Sequence, residues 1–319
     1  MVVHLTFDGN FNDSSGRTNN ASYAVNGSNP SPTPRFAPGI IGEAFEYTTT
    51  TNGDIEYATF GYPADLQFDS TNDFSVSFWA NYTNQSDDLP FVGNKDWGSS
   101  GNEGWVITTQ SGGNCRVNIT GATSSDKYSE TDFPTILKNG QWHNVVVSVQ
   151  HAPPGQQAYV YGYIDGVLRS KHPMTAVGSL DTFALPFSYP GDNQATWAVN
   201  VGQDGTGFYD DGGSAYDINA LMDDLGIWRR PLTAHEAMGI YQAGLAGKDL
   251  TQAVTASVFA SVTGNNIVLT WDGSPNVELQ TTSDLSSGSW TTVSGTLGAS
   301  SATISLNSHP AAYFRLFTQ

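Results

Sequence analysis

The feature that most constrains this chain is a two-residue hydrophobic period that restarts many times between clusters of Gly, Asn, Asp and Ser. In Phe74-Ser-Val-Ser-Phe-Trp-Ala, residues Phe74, Val76 and Phe78 share one face and Trp79 takes the other. Strand side chains alternate between faces, so the pattern marks a strand with one side in a core. Comparable stretches run through Val2–Phe7, Ile55–Phe60, Trp105–Thr109, Val145–Gln150, Tyr159–Ile164, Trp197–Val201 and Leu225–Trp228. Asp165-Gly166, between Tyr163-Ile164 and Val167-Leu168, is a two-residue hairpin signal, since both positions tolerate positive φ. Strands do not alternate with helices, so the expected class is all-β, an antiparallel sandwich.

One helix is expected. Thr233-Ala-His-Glu236 is a capping box, with Met238, Ile240, Tyr241 and Leu245 as its apolar face and Gly244 or Gly247 as its end. After Lys248-Asp249-Leu250 the chain turns Ser/Thr-rich and poor in charge. Short strands follow at Ile267–Trp271, Val277–Thr282, Trp290–Val293, Ala302–Leu306 and Tyr313–Phe317. Two domains are expected, 1–250 and a small all-β domain over 251–319.

Charge narrows the partners. Twelve basic against thirty acidic side chains give a net −18, which repels phosphate backbones and argues against nucleic acid and anionic membranes. No apolar run is long enough to span a bilayer, so membrane insertion is not expected. Cys115, the single cysteine, lies in an alternating stretch and is expected as a buried thiol. Val2 and Val3 run straight into a strand pattern, and the expectation is a secreted chain whose leader has been removed.

Seven blocks carry a family resemblance, in order: Leu5-Thr-Phe-Asp8 through Gly16, Phe74–Ala80, Phe91–Trp97, Gly140-Gln-Trp-His143, Tyr163–Gly166, Val201–Gly207 and Met222-Asp-Asp-Leu-Gly-Ile-Trp228 through Glu236. Together they resemble the laminin G-like, concanavalin A-like jelly rolls over about residues 3–248. Residues 252–319, with Leu279–Leu285, Ser289–Val293 and Tyr313–Leu316, resemble the small C-terminal β domain of many exported proteins of environmental bacteria.

The resemblance implies a calcium ion where the first acidic loop meets the last strand. Asp8, Asn10 and Asp13 are spaced as alternating loop ligands, with Asp223 and Asp224 at the matching end. The plainer reading is that Asp13-Ser-Ser-Gly forms an Asx turn and the Asp pair faces water. Asp96, Asp204, Asp210 and Asp211 form a candidate second set, on loops that the resemblance places near one another; an ion or direct hydrogen bonding are both open. Trp97, Trp105, Tyr209 and Tyr216 lie in or beside Gly-rich loops and are the candidate sugar-binding aromatics, whereas Trp79, Trp142 and Trp228 alternate with apolar neighbours and read as core.

Glucanases of the superfamily align three carboxylates at alternate positions of one strand. The nearest approach is Asp54-Ile-Glu56-Tyr-Ala58, where the third position is Ala. No nucleophile elbow, zinc motif or phosphate loop is present, and the expectation is not an enzyme. The leading reading is a secreted carbohydrate-binding or adhesion module for a polysaccharide or cell-surface glycan. The alternatives are a self-associating extracellular structural or filament subunit and, behind it, a glycoside hydrolase.

Overall fold

The computed structural model describes the chain except residues 50–52, 69–71, 84–89, 99–103, 111, 121–126, 153–155, 175–196, 210–217, 254–257, 272–276, 287, 308–311 and 319. It divides into two compact units, Met1–Ala253 and Val254–Gln319.

Among the described residues, the first unit holds β1 (Val3–Leu5), β2 (Ser22–Asn26), β3 (Arg35–Pro38), β4 (Glu43–Thr49), β5 (Ile55–Gly61), β6 (Phe74–Tyr82), β7 (Pro90–Gly93), β8 (Gly104–Thr109), β9 (Cys115–Thr120), β10 (Lys127–Phe133), β11 (His143–Gln150), β12 (Ala158–Ile164), β13 (Val167–Met174), β14 (Val199–Val201), β15 (Ile218–Trp228) and the helix α1 (Ala234–Leu245). Antiparallel hydrogen bonds join them along one path, β10-β9-β8-β7-β14-β5-β4-β15-β6-β11-β12-β13. β1 is attached to β15, β2 to β5 and β3 to β4. The path doubles back on itself, as a jelly-roll sandwich does. Phe133, closing β10, lays its ring against Gly162 of β12, where any Cβ would strike it. Between the leaves, Val76, Phe78, Val145, Val147 and Val149 meet Phe91, Val92, Trp105, Ile107 and Val117 in one core.

Local chemistry sets the turns. Asp165 and Gly166 have φ of 54° and 72°, the primed geometry that suits a twisted hairpin. The Asp165 carboxylate accepts from the Asn144 backbone and pairs with His143. Thr233 and Glu236 form the reciprocal capping box at the start of α1. That helix lies on the outer face of the β6–β11–β12 leaf, packing Ala237 and Ile240 with Val146, Tyr163, Trp228 and Leu232. Gly244 sits against the Trp79 indole, and Tyr241 stacks on it at 5.6 Å. Leu245, expected on the apolar face, is 59% exposed, because the small residues Ala243 and Gly244 occupy the contact. Trp79 and Trp228 are buried, while Trp142 is half-buried. Cys115 is a fully buried free thiol, and burial raises its pKa far above the usual range.

β15 is the strand on which the site depends. Its first half pairs with β4, from Ile218↔Thr49 to Met222↔Phe45. Its second half pairs with β1, through Leu225↔Leu5 and Ile227↔Val3. Between the halves its register against β6 shifts, and Asp224 takes a φ of 48°. Asp223 and Asp224 therefore occupy a bulge at the gap where β15 changes partners.

The second unit holds β16 (Phe259–Thr263), β17 (Asn266–Thr270), β18 (Val277–Thr282), β19 (Thr291–Thr292), β20 (Ser301–Ser305) and β21 (Tyr313–Thr318). They form two three-stranded sheets, β16-β17-β20 and β19-β18-β21, around Leu269, Trp271, Val277, Leu279 and Ile304.

Candidate functional site

The bulge on β15 separates the acidic residues of the first expected set. Asp223 turns toward Gly39–Glu43; one oxygen accepts from Ile41 N at 2.9 Å, and the other is buried with no hydrogen-bond partner. Asp8 reaches the same turn, where its Oδ1 accepts from Glu43 N at 2.8 Å and lies against Gly42. Burial pushes the Asp223 carboxyl up to about 8, with the charges of Asp224 and Asp8 adding to it. An orphaned, fully buried carboxylate oxygen beside a second carboxylate suits a hard cation, which would replace the missing partner.

The other three residues of that set do different work. Asp13 accepts from His4 N, Ser15 N, Ser15 Oγ and Asn19 N, so the Asx-turn reading is the one its geometry follows. Burial opposes its ionisation, yet those donors hold its pKa below the usual carboxylate range. Asn10 hydrogen-bonds within its own turn. Asp224 is 2.7 Å from His4 Nε2 and also accepts from Leu250 N, while His4 Nδ1 lies 2.7 Å from Ser14 Oγ. Both Asp224 oxygens are thus used in a buried clasp that joins β1, the Ser14 loop and the chain after α1. Of the five residues expected as ligands, the structure brings Asp8 and Asp223 to one turn. Among the described residues no group of three or more His, Cys, Asp or Glu side chains is arranged for a metal.

The second acidic set separates as well. Asp204, 1% exposed, accepts Trp97 N on one oxygen and Thr206 N, Thr206 Oγ1 and Gly207 N on the other. Gly205 N donates to Lys95 O at 2.8 Å, and a Cβ at Gly205 would lie 2.6 Å from Trp197 Cβ. The carboxylate thus staples the Asn94–Trp97 and Gln203–Tyr209 loops together by direct hydrogen bonds. Burial pushes its pKa up to about 6 against the pull of these donors. Asp210 and Asp211 lie outside the described residues.

The stapled loops wall a cleft of about 610 Å³ over β5 and β14, lined by Tyr57, Thr59, Tyr62, Asp96, Trp197, Asn200, Thr206 and Phe208 among others. Alternation on β5 builds its floor: Ala58 and Phe60 enter the core, so Tyr57, Thr59 and Gly61 face out. Tyr62 and Phe208 stand at 56% and 69% exposure, large rings left in water. Trp197 Nε1 and Asn200 Oδ1, on lining residues, are buried without a hydrogen-bond partner. Tyr57 is half-buried, and burial followed by the charge of Asp204 raises its hydroxyl pKa.

Of the expected sugar-binding aromatics, the three described ones, Trp97, Trp105 and Tyr209, do not line this cleft. Trp105 is 1% exposed and packs on Phe68 and Phe74, so it belongs to the core and is closed to a ligand. Trp97 and Tyr209 are half-buried in the framing loops, and Tyr216 lies outside the described residues. Tyr57, Tyr62, Trp197 and Phe208, which do line the cleft, are not among the sugar-binding residues expected from the sequence. For Tyr57 a signal was present, since it alternates with Ala58 and Phe60. Asp54 accepts from Ser28 N and Asn29 N, and Glu56 pairs with Arg35 at 2.9 Å and accepts from Ser31 N; both serve the segment that crosses β5 and do not line the cleft.

A family model, Laminin_G_3, described as the concanavalin A-like lectin/glucanases superfamily, matches residues 52–238. No curated protein matches the chain. Among solved structures, the chain is similar to the binding domain of botulinum neurotoxin serotype D/C, at 15% identity and a TM-score of 0.53, over 89% of this chain and 66% of that one. It is similar to a structure of botulinum neurotoxin type C, at 15% identity and a TM-score of 0.52, over 76% of this chain and 51% of the other. A third is the binding domain of botulinum neurotoxin DC in complex with rat synaptotagmin II, at 14% identity and a TM-score of 0.51, over 95% and 72% of the two chains. The chain spans between about half and two thirds of the first two, and at these identities the likeness establishes the fold alone. With the family model matched over more than half of its length, on a sandwich of this topology, the chain belongs to the concanavalin A-like lectin/glucanase superfamily.

Proposed function

We propose that the chain is an exported, non-catalytic binding module that takes a polysaccharide or cell-surface glycan into the cleft over β5 and β14. The observation that carries this reading is the lining: the aromatic residues Tyr57, Tyr62 and Phe208 together with Asp96, Thr59 and Thr206. Sugar C–H faces pack on aromatic rings, while their hydroxyls exchange hydrogen bonds with carboxylate and hydroxyl groups. The neurotoxin likeness supports it at the level of fold, since cell entry of botulinum neurotoxin type C depends on interaction with two ganglioside molecules. Hydrolysis is not part of the proposal. Glycosidases flank the scissile bond with two carboxylates about 5 to 10 Å apart, and Asp96 is the one carboxylate of the described lining.

Calcium belongs to the same proposal, held by Asp8 and Asp223 with carbonyls of the adjoining turns. Its role is to supply positive charge to the buried Asp223 and to tie the loop after β1 to β15.

Affinity electrophoresis through gels carrying individual polysaccharides tests the binding. Migration of the full chain is expected to be retarded by at least one of them, and Tyr62→Ala and Phe208→Ala are expected to restore free migration without lowering the melting temperature. Retardation that both variants leave intact, or none on any polysaccharide, would sink the reading. Release of reducing ends by the purified chain would overturn its non-catalytic part.

A further inference from the structure

The cleft has a charge character that bears on which glycans it can hold. Among the described residues no Lys, Arg or His lines it, whereas the Asp96 carboxylate does. Directly behind lies Asp204, buried and largely ionised at neutral pH. Lys95 is the single cation in the sequence of the two framing loops. It is 4% exposed, its ammonium lies 5.8 Å from the centre of the Trp97 ring, and it is not one of the described lining residues.

An incoming carboxylate or sulfate would therefore meet like charge, with no cation in the described lining to receive it. At contact distances in a partly solvated cleft, one such repulsion costs about tenfold in affinity. The net charge of −18 adds a longer-range repulsion that salt screens. Hydroxyl-rich, uncharged sugars lose nothing by this arrangement, because Asp96, Thr59 and Thr206 can all accept from sugar hydroxyls.

We infer that the cleft selects glycans free of acidic groups and turns away those bearing sialic acid, uronate or sulfate. The inference rests on the cleft being the glycan site. It sets this chain apart from a ganglioside reader, since gangliosides carry sialic acid. Recognition here is discrimination as much as attraction, with Asp96 as the repelling element.

The experiment is a glycan array in which every acidic glycan is printed beside its uncharged counterpart, probed with the full chain. Bound glycans are expected to be uncharged, with their acidic counterparts weaker by about tenfold or more at low salt. Asp96→Asn is expected to raise the acidic-to-uncharged binding ratio several-fold, and added salt to narrow the gap in the unaltered chain. If acidic glycans bind as well as their counterparts and lose binding in Tyr62→Ala, the cleft stands as the site and the charge inference falls. If no glycan binds, or binding ignores Tyr62→Ala and Phe208→Ala, the underlying reading falls and takes this inference with it.

Discussion

Two aspartates with raised pKa values do opposite things in this protein. Asp204 accepts four hydrogen bonds yet titrates at about 6, above its ordinary 3.8, because burial outweighs its donors. The folded chain then holds that proton more tightly than the unfolded chain does. The resulting stabilisation is full below about pH 4 and is lost as pH rises through about 6, on the order of 3 kcal/mol in all. Urea unfolding at pH 4 and pH 7 checks this: the fall in stability should be larger in the unaltered chain than in Asp204→Asn, whose amide does not titrate. Equal falls would show that Asp204 ionises in the fold as freely as in water. Asp223, in contrast, has an oxygen without a partner. For chelator-treated protein, calcium at a hundred times its Kd should add about 2.7 kcal/mol of stability. The matching rise in melting temperature should vanish in Asp223→Asn, and an unchanged melting temperature in the unaltered chain would remove calcium from the account.

The helix shows how an element's sequence reports its start better than its face. Thr233 and Glu236 are readable because a capping box is a contact between residues three apart. The Asp165-Gly166 turn is readable for the same reason, its φ values being a property of two adjacent residues. The buried face of α1 was less visible, because a glycine carries the closest approach: Gly244 meets the Trp79 ring, and the larger Leu245 is left outside. Gly244→Ala should therefore cost about 2 kcal/mol despite the better helix propensity of Ala, by overpacking against the indole. Thr233→Ala should cost about 1 kcal/mol through the lost cap. Thermal unfolding ranks the two, and a neutral or stabilising Gly244→Ala would show that the helix can slide off Trp79. The cleft was the least legible feature. Its rings come from Tyr57 and Tyr62, in and just after β5, and from Trp197 and Phe208, before and after β14, and the pairing of β5 with β14 helps to bring these distant segments together. Trp105 misled for a related reason: its Gly-rich flank resembles a loop, while its strand places the ring between Phe68 and Phe74.

Across the molecule, the main core, the acidic turn and the cleft all fall within Met1–Ala253, and the second unit has a core of its own. Residues 1–253 expressed alone should fold cooperatively and keep the glycan affinity of the full chain within about twofold, as expected of a unit that carries its own core. Calorimetry and the same binding assay check this, and loss of either property would mean that the second unit takes part in the first unit's stability or site. The breadth of the resemblance along residues 3–248 made the architecture readable, whereas the change of partners along β15 was hidden. A strand that pairs with β4 and then with β1 has the same alternating sequence as one with a single neighbour. That exchange also imposes an order in time. β12 and β13 meet across a two-residue turn and can pair as soon as both exist, whereas His4 waits for Asp224, 220 residues downstream. On a chain emerging from the ribosome, β1 stays a lone strand until nearly the whole sandwich has been made. A chain cut short before β15 would lack both the clasp and the buried carboxylate at once.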